Sequence, residues 1–204
     1  MKLPRLRREK VYDPVLRGIH AWNGIAILLL ILSAQVADWI ELTPEAVALW
    51  RFHVWAGYAL IIGLVARISW GLNGPRHARF GAMWHLGDWW RAIRSREWFT
   101  EPESWGHHPL ASAAYLAFYL IVLIMAATGL ALAAVEQGRG PLVDWIGHDV
   151  PLKFWFMTPH DALDEFVLGF VVLHLAALIL HEARHGVPMA QAMVSGYQYR
   201  KEEE

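Results

Sequence analysis

No cysteine occurs among the 204 residues. That single absence removes several chemistries at once: disulfides, thiolate metal sites, iron–sulfur ligation and the covalent haem attachment of c-type cytochromes all need a sulfur this chain lacks. With no thiol to read, the redox compartment stays open. Charge is scarce too. Asp, Glu, Lys and Arg make up 18% of the chain and apolar residues 56%, against about 25% and roughly 45–50% in ordinary soluble domains. There is no internal repeat and no low-complexity tract beyond the terminal KEEE. What the chain does have is twelve tryptophans and eleven histidines, and the histidine excess is the feature to explain. The length fits one domain, 1–204.

Long uncharged runs are the first positive signal. A bilayer core needs about 20 residues of helix, fewer where flanking arginines snorkel. Twenty uncharged residues separate Arg17 from Asp38, and 27 run from Pro109 to Val135. Two shorter runs, Phe52 to Ala66 and Phe166 to His181, are extended by Trp, Tyr, Gly and His. The expectation is an all-α, integral-membrane four-helix bundle with spans near 15–38, 47–71, 109–135 and 160–186. The first apolar stretch is too long for a signal peptide and is expected to be retained. Asp13-Pro14 supplies an N-cap and first-turn residue for it.

The distribution of charge predicts orientation. Fifteen of the eighteen Lys and Arg residues fall in the N-terminal segment, the loop between helices two and three, or the C-terminal end. Arg51, Arg139 and Lys153 are the three on the other side. The chain is therefore expected N-in and C-in, as a multi-pass protein of a bacterial inner membrane with both termini cytoplasmic. Nine acids share the outer side with those three bases. An acidic outer face would attract a basic soluble partner, although the positive-inside bias alone would leave the same imbalance. In the inner loop, Met83, Leu86, Trp90 and Ile93 repeat at helical spacing opposite Arg91, Arg94 and Arg96. That pattern predicts a short amphipathic helix in the cytoplasmic interface, with Trp84, Trp89 and Trp98 at headgroup level.

Ionisable residues within spans are costly and point to function. His20 lies in the first span, His53 in the second, and His160 and His174 in the fourth. The third span has no interior histidine and reads as scaffold. For any single histidine, a hydrogen bond to a neighbouring helix is an equally good explanation. Depth argues otherwise for the set. With the N-terminus inside, His20 lies deep toward the cytoplasm and His53 toward the outside. His160 and His174 are separated by about 21 Å of helix and about 40° of rotation. The result is an outer pair, His53 with His160, and an inner pair, His20 with His174, each suited to bis-His ligation of a haem iron. Gly24 and Gly57, one turn after His20 and His53, would admit a flat macrocycle or simply pack helices. Arg17, Arg51 and Arg67 are placed either to pair with haem propionates or to snorkel.

The stretches VYDPVLRGIHAW, RFHVWAGYALIIGLVARISWGLNGPRHARF and WGHHPLASAA, with the His160/His174 spacing, carry a resemblance. The chain is similar, over nearly its whole length, to the bacterial di-haem cytochrome b family that includes cytochrome b-561 and the b-type subunits of nickel–iron hydrogenases. That resemblance implies two non-covalent b haems on the four histidines. It also implies electron exchange between an outer-side redox partner (a hydrogenase, c-type cytochrome or other dehydrogenase) and the quinone pool, as an electron-transfer subunit of a quinone oxidoreductase complex. The chain departs from the family in an enlarged segment between helices three and four and in the extra His181 and His185. His181 lies two turns beyond His174 and competes with it for the inner role, which goes to His174 because its depth matches that of His20.

His181-Glu182-Ala183-Arg184-His185 also spells H-E-x-x-H, the helix signature of zinc proteases. A membrane zinc metalloprotease is the alternative reading. It needs a third ligand that the sequence does not offer and leaves the four deeper histidines unexplained. A proton-coupled transporter would use intramembrane His as well, but four helices are few for alternating access. His77, His85, His107, His108 and His148 fall in loops or at interfaces and need no special role.

Overall fold

The computed structural model describes residues 6–41, 43–96, 105 and 109–201. Lys2, Arg5, Trp98, His107 and His108 lie outside the described residues, as does the side chain of His185. In chain order the elements are β1 (Leu6–Lys10), α1 (Pro14–Trp39), α2 (Pro44–Asn73), α3 (Leu86–Ser95), α4 (Pro109–Gln137), α5 (Val143–Ile146), α6 (Lys153–His185), α7 (Ala192–Ser195) and β2 (Tyr197–Lys201). The chain is mostly helical, and α1, α2, α4 and α6 are long and apolar enough to cross a membrane. Leu32, Ile62, Leu120, Leu173 and Ile179 stand exposed on them, as lipid-facing side chains do when no aqueous hydrophobic force drives them inward.

The helix starts follow side-chain chemistry. The Asp13 carboxylate accepts the backbone N–H groups of Val15 and Leu16, both at 3.0 Å, and the indole N–H of Trp70 at 3.1 Å. One residue thus caps α1 and ties it to α2. Thr43 does the same for α2 through the Ala46 N–H, with Pro44 at the first helical position. The fourth long helix begins at Lys153, seven residues before the start its sequence predicts. Pro159 sits within α6. Thr158 donates its hydroxyl back to the Phe154 carbonyl at 2.9 Å, adding a side-chain tie within the first two turns.

The residues group into two compact units. The first comprises residues 1–20, 66–117 and 172–204. Its core is Val11, Tyr12, Leu16, Ala78 and Ala192, with Trp70, Trp105 and Met193 packed against them. In this unit β1 pairs antiparallel with β2, Leu6 opposite Lys201 and Lys10 opposite Tyr197. Arg7 and Arg200 both lie over the Trp105 ring. α3 belongs here too, with Leu86, Trp90 and Ile93 exposed in one stripe and the Trp89 indole donating to the Pro109 carbonyl at 2.7 Å.

The second unit comprises residues 21–65 and 118–171. Ala26, Ile27, Leu60, Leu64, Val122 and Val167 form its core. The Phe118 and Phe170 rings stack beside it at 3.9 Å. Gly63 is required by close approach: a Cβ there would lie 1.9 Å from Asn23 Oδ1. The Trp22 indole locks the same seam by donating to the Ala59 carbonyl at 2.7 Å.

Candidate functional site

Each unit contains one pair of facing histidines. In the second unit the His53 and His160 ring centroids are 6.5 Å apart. In the first unit those of His20 and His174 are 6.4 Å apart. An imidazole nitrogen bonds a metal at about 2 Å and lies about 1.1 Å from its ring centroid, so two rings facing across one iron have centroids roughly 6.3 Å apart. Both separations fit one interposed iron. The ring planes are inclined by 72° and 53°, and edge-to-face rings in direct contact span about 4.5–7 Å too, so the spacing admits an iron without singling it out.

Hydrogen bonds fix the tautomers in the second unit. His53 Nδ1 lies 3.1 Å from the Leu30 carbonyl oxygen, which can only accept. Nδ1 therefore carries the proton and Nε2 presents its lone pair. The Ser33 hydroxyl, 3.1 Å from the same Nδ1, also donates to Leu30 at 3.0 Å. For His160 the side-chain partner is Thr128, whose Oγ1 is 2.9 Å from Nδ1, and the Met125 backbone is a second hydrogen-bond partner of the ring. The hydroxyl proton is committed to backbone, with the Ile124 carbonyl at 2.9 Å and Met125 at 3.1 Å, so Oγ1 accepts from the imidazole. Again Nε2 is left free. Outer-shell oxygens that hold one ring nitrogen so that the other can ligate are the usual accompaniment of a histidine–metal bond. Gly129 makes room for the ring: a Cβ there would press on His160 Cε1 at 3.3 Å. In the first unit Tyr115 packs edge-on against His174 at 6.0 Å.

Ser33, Thr128, Gly129 and Tyr115 do not stand out in the sequence, and three of them come from the helix that reads as scaffold. A hydroxyl next to a glycine in mid-span, Thr128-Gly129, is the one local signal that could have marked the spot. Gly24 and Gly57 face open space, with nothing within 4 Å of a Cβ built on either.

The arginines have other engagements. Arg67 is buried, donates to the Ala78 carbonyl at 3.1 Å and lies over the Phe80 ring, so it fastens the loop after α2. Arg17 donates to the Val194 carbonyl. Arg51 lies about 160° around α2 from His53 at 100° per residue and lines a separate pocket with Tyr58 and Arg139. In the H-E-x-x-H segment the Glu182 carboxylate accepts the backbone N–H groups of Met189 and Ala190 at 2.6 and 2.7 Å. That carboxylate closes a turn after α6. No group of three or more His, Asp or Glu side chains able to hold a metal ion occurs among the described residues. The protease alternative is not supported.

The model of one family, prokaryotic cytochrome b561, matches residues 11–196. The chain belongs to the prokaryotic cytochrome b561 family. This cytochrome b561 is accordingly a membrane protein of b-type haem and electron transport. Relatives named as probable Ni/Fe-hydrogenase B-type cytochrome subunits match it over most of its length. The one from Rhizobium leguminosarum bv. viciae is 28% identical over 95% of this chain and 90% of its own. Those from Rhodobacter capsulatus and Azotobacter vinelandii are each 27% identical, covering 95% and 74% of this chain and 82% and 68% of their own. No solved structure matches it.

Proposed function

We propose that this cytochrome b561 is a single-domain, di-haem electron-transfer subunit that exchanges single electrons between a redox enzyme at the outer membrane face and the quinone pool. The observation that carries the reading is the spacing of the two imidazole pairs, 6.5 Å for His53/His160 and 6.4 Å for His20/His174. When bound, haem b supplies a reversible one-electron iron couple. The chain's own residues do the rest. His53 and His160 present Nε2 because Leu30, Ser33 and Thr128 hold their Nδ1 protons. Two imidazoles on each haem would leave its iron no open position, and the residues would then serve a relay and not an oxygen-activating centre. The open space beside Gly24 and Gly57, each one turn beyond a ligand, suits the plane of a macrocycle.

Both termini are assigned to the cytoplasm by the fifteen Lys and Arg residues on their side of the spans. α3 then lies along the cytoplasmic interface with Leu86, Trp90 and Ile93 turned to the lipid. The partner is a hydrogenase-like enzyme, by analogy with the names of the relatives, drawn to the acidic outer face. A reduced-minus-oxidised spectrum of the purified protein, with haem quantified per chain, tests the proposal. Two b-type haems are expected. A spectrum without b haem, or a single haem per chain, would overturn it.

A further inference from the structure

The second unit holds a pocket on the face of α2 turned away from His53. It measures about 280 Å³ and is lined by Arg51, Trp55, Tyr58, Gln137, Arg139 and Gly140 among others. Three bases stand on the acidic side of the charge distribution, and two of them meet here. The third, Lys153, is neutralised by Glu136 at 2.7 Å. Neither Arg51 nor Arg139 forms a salt bridge among the described residues. The pocket is built into the fold. Gly140 takes a φ of +96°, and a Cβ there would sit 2.6 Å from the Tyr58 hydroxyl, so that turn closes against Tyr58 only with glycine. The Trp55 and Tyr58 rings meet edge to face at 5.6 Å.

We propose that this pocket binds the anionic phosphodiester headgroup of a membrane lipid, with Arg51 and Arg139 on the phosphate oxygens and the Tyr58 hydroxyl as a further donor. Planar guanidinium groups match phosphate oxygens in paired hydrogen bonds. The location selects a lipid. The pocket lies where α4 ends at Gln137 and in the first half of α2, the level at which helices leave a bilayer. Trp55 is 70% exposed, as an indole at the headgroup boundary is. The excess of acids in the segments on this side of the spans disfavours dissolved anions, whereas a lipid arrives laterally, anchored by its chains.

The test is native mass spectrometry of the haem-loaded full chain with phosphatidylglycerol, phosphatidylcholine or inorganic phosphate. Phosphatidylglycerol should bind the native protein about tenfold more tightly than the Arg51→Gln/Arg139→Gln variant, the loss expected for charge-assisted hydrogen bonds. Phosphatidylcholine should bind both weakly, and inorganic phosphate should not displace the lipid. Arg139→Gln alone, with its helicity checked by circular dichroism, serves if the double variant does not fold, and it too must weaken binding. Equal phosphatidylglycerol binding by native and variant proteins would overturn the site. Displacement by millimolar phosphate would overturn the lipid as its occupant, and equal binding of phosphatidylcholine would overturn recognition by charge.

Discussion

Replacing Thr128 with valine removes one oxygen and keeps the shape of the side chain. In the native protein Thr128 Oγ1 accepts from His160 Nδ1 at 2.9 Å while its own proton goes to backbone. In Thr128→Val that imidazole keeps the Met125 backbone as its partner, so the loss is one hydrogen bond of about 0.5–1.5 kcal/mol in an apolar span. Two consequences follow for the haem that His53 and His160 are proposed to hold. Its retention should fall by about 10–100-fold, the usual penalty for losing an outer-shell partner of a metal-binding histidine. Its potential should rise, because a ring that makes one hydrogen bond fewer is a poorer electron donor and stabilises oxidised iron less. A hydrogen bond worth about 1 kcal/mol, felt wholly by the oxidised form, corresponds to about 40 mV for a one-electron couple. Potentiometric titration should show two waves, one raised by up to that amount and one unmoved. Ser33→Ala should act to a similar extent, because His53 keeps the Leu30 carbonyl at 3.1 Å as His160 keeps the Met125 backbone. Unchanged potentials together with unchanged haem retention in Thr128→Val would refute the reasoning.

Other substitutions separate packing from ligation. Gly57→Leu, directed into open space one turn beyond His53, should expel the same haem while leaving helicity intact, read by haem content and circular dichroism. Gly63→Ala should do the reverse. It drives a methyl onto Asn23 and lowers thermal stability by about 1–3 kcal/mol without selective haem loss. Glu182→Ala should cost about 1.5–3 kcal/mol through the Met189 and Ala190 N–H groups, and neither it nor the native chain should cleave peptides. Burial first, and Tyr115 second, push the Tyr12 phenol up to about 12. The folded chain thus keeps a proton that the unfolded chain releases near pH 10. The stability this lends is complete below pH 10 and lost as pH rises toward 12, which denaturation midpoints across that range would show.

The four long helices were legible because their apolar runs are long and their ends carry charge, as at Arg17 and Asp38. The histidine pairs were legible because fourteen residues return a helix to nearly the same face. The start of α6 was not, since the helix begins at Lys153 and continues through Pro159, ahead of the uncharged run that marks the span. β1 and β2 were illegible for a different reason. LRREK and YQYRK have no consistent apolar alternation, and they pair because Val11 and Tyr12 both donate to the Gly196 carbonyl and bring the two ends of the chain together. The partners of Arg17 and Arg67 are backbone carbonyls of Val194 in the short helix α7 and of Ala78 after α2, which no spacing rule marks. Ser33 and Thr128 look like ordinary span hydroxyls until the helices bring them to His53 and His160.

The central claim is that two pairs of histidines hold two haems. Haem content per chain, measured with the potential of whatever haem remains, in His20→Ala, His53→Ala, His160→Ala and His174→Ala, tests it most directly. Each variant should retain one haem. His53→Ala and His160→Ala should leave the same residual potential, and His20→Ala and His174→Ala should leave the other. Retention of two haems in any of the four, or residual potentials that pair the histidines differently, would contradict the account.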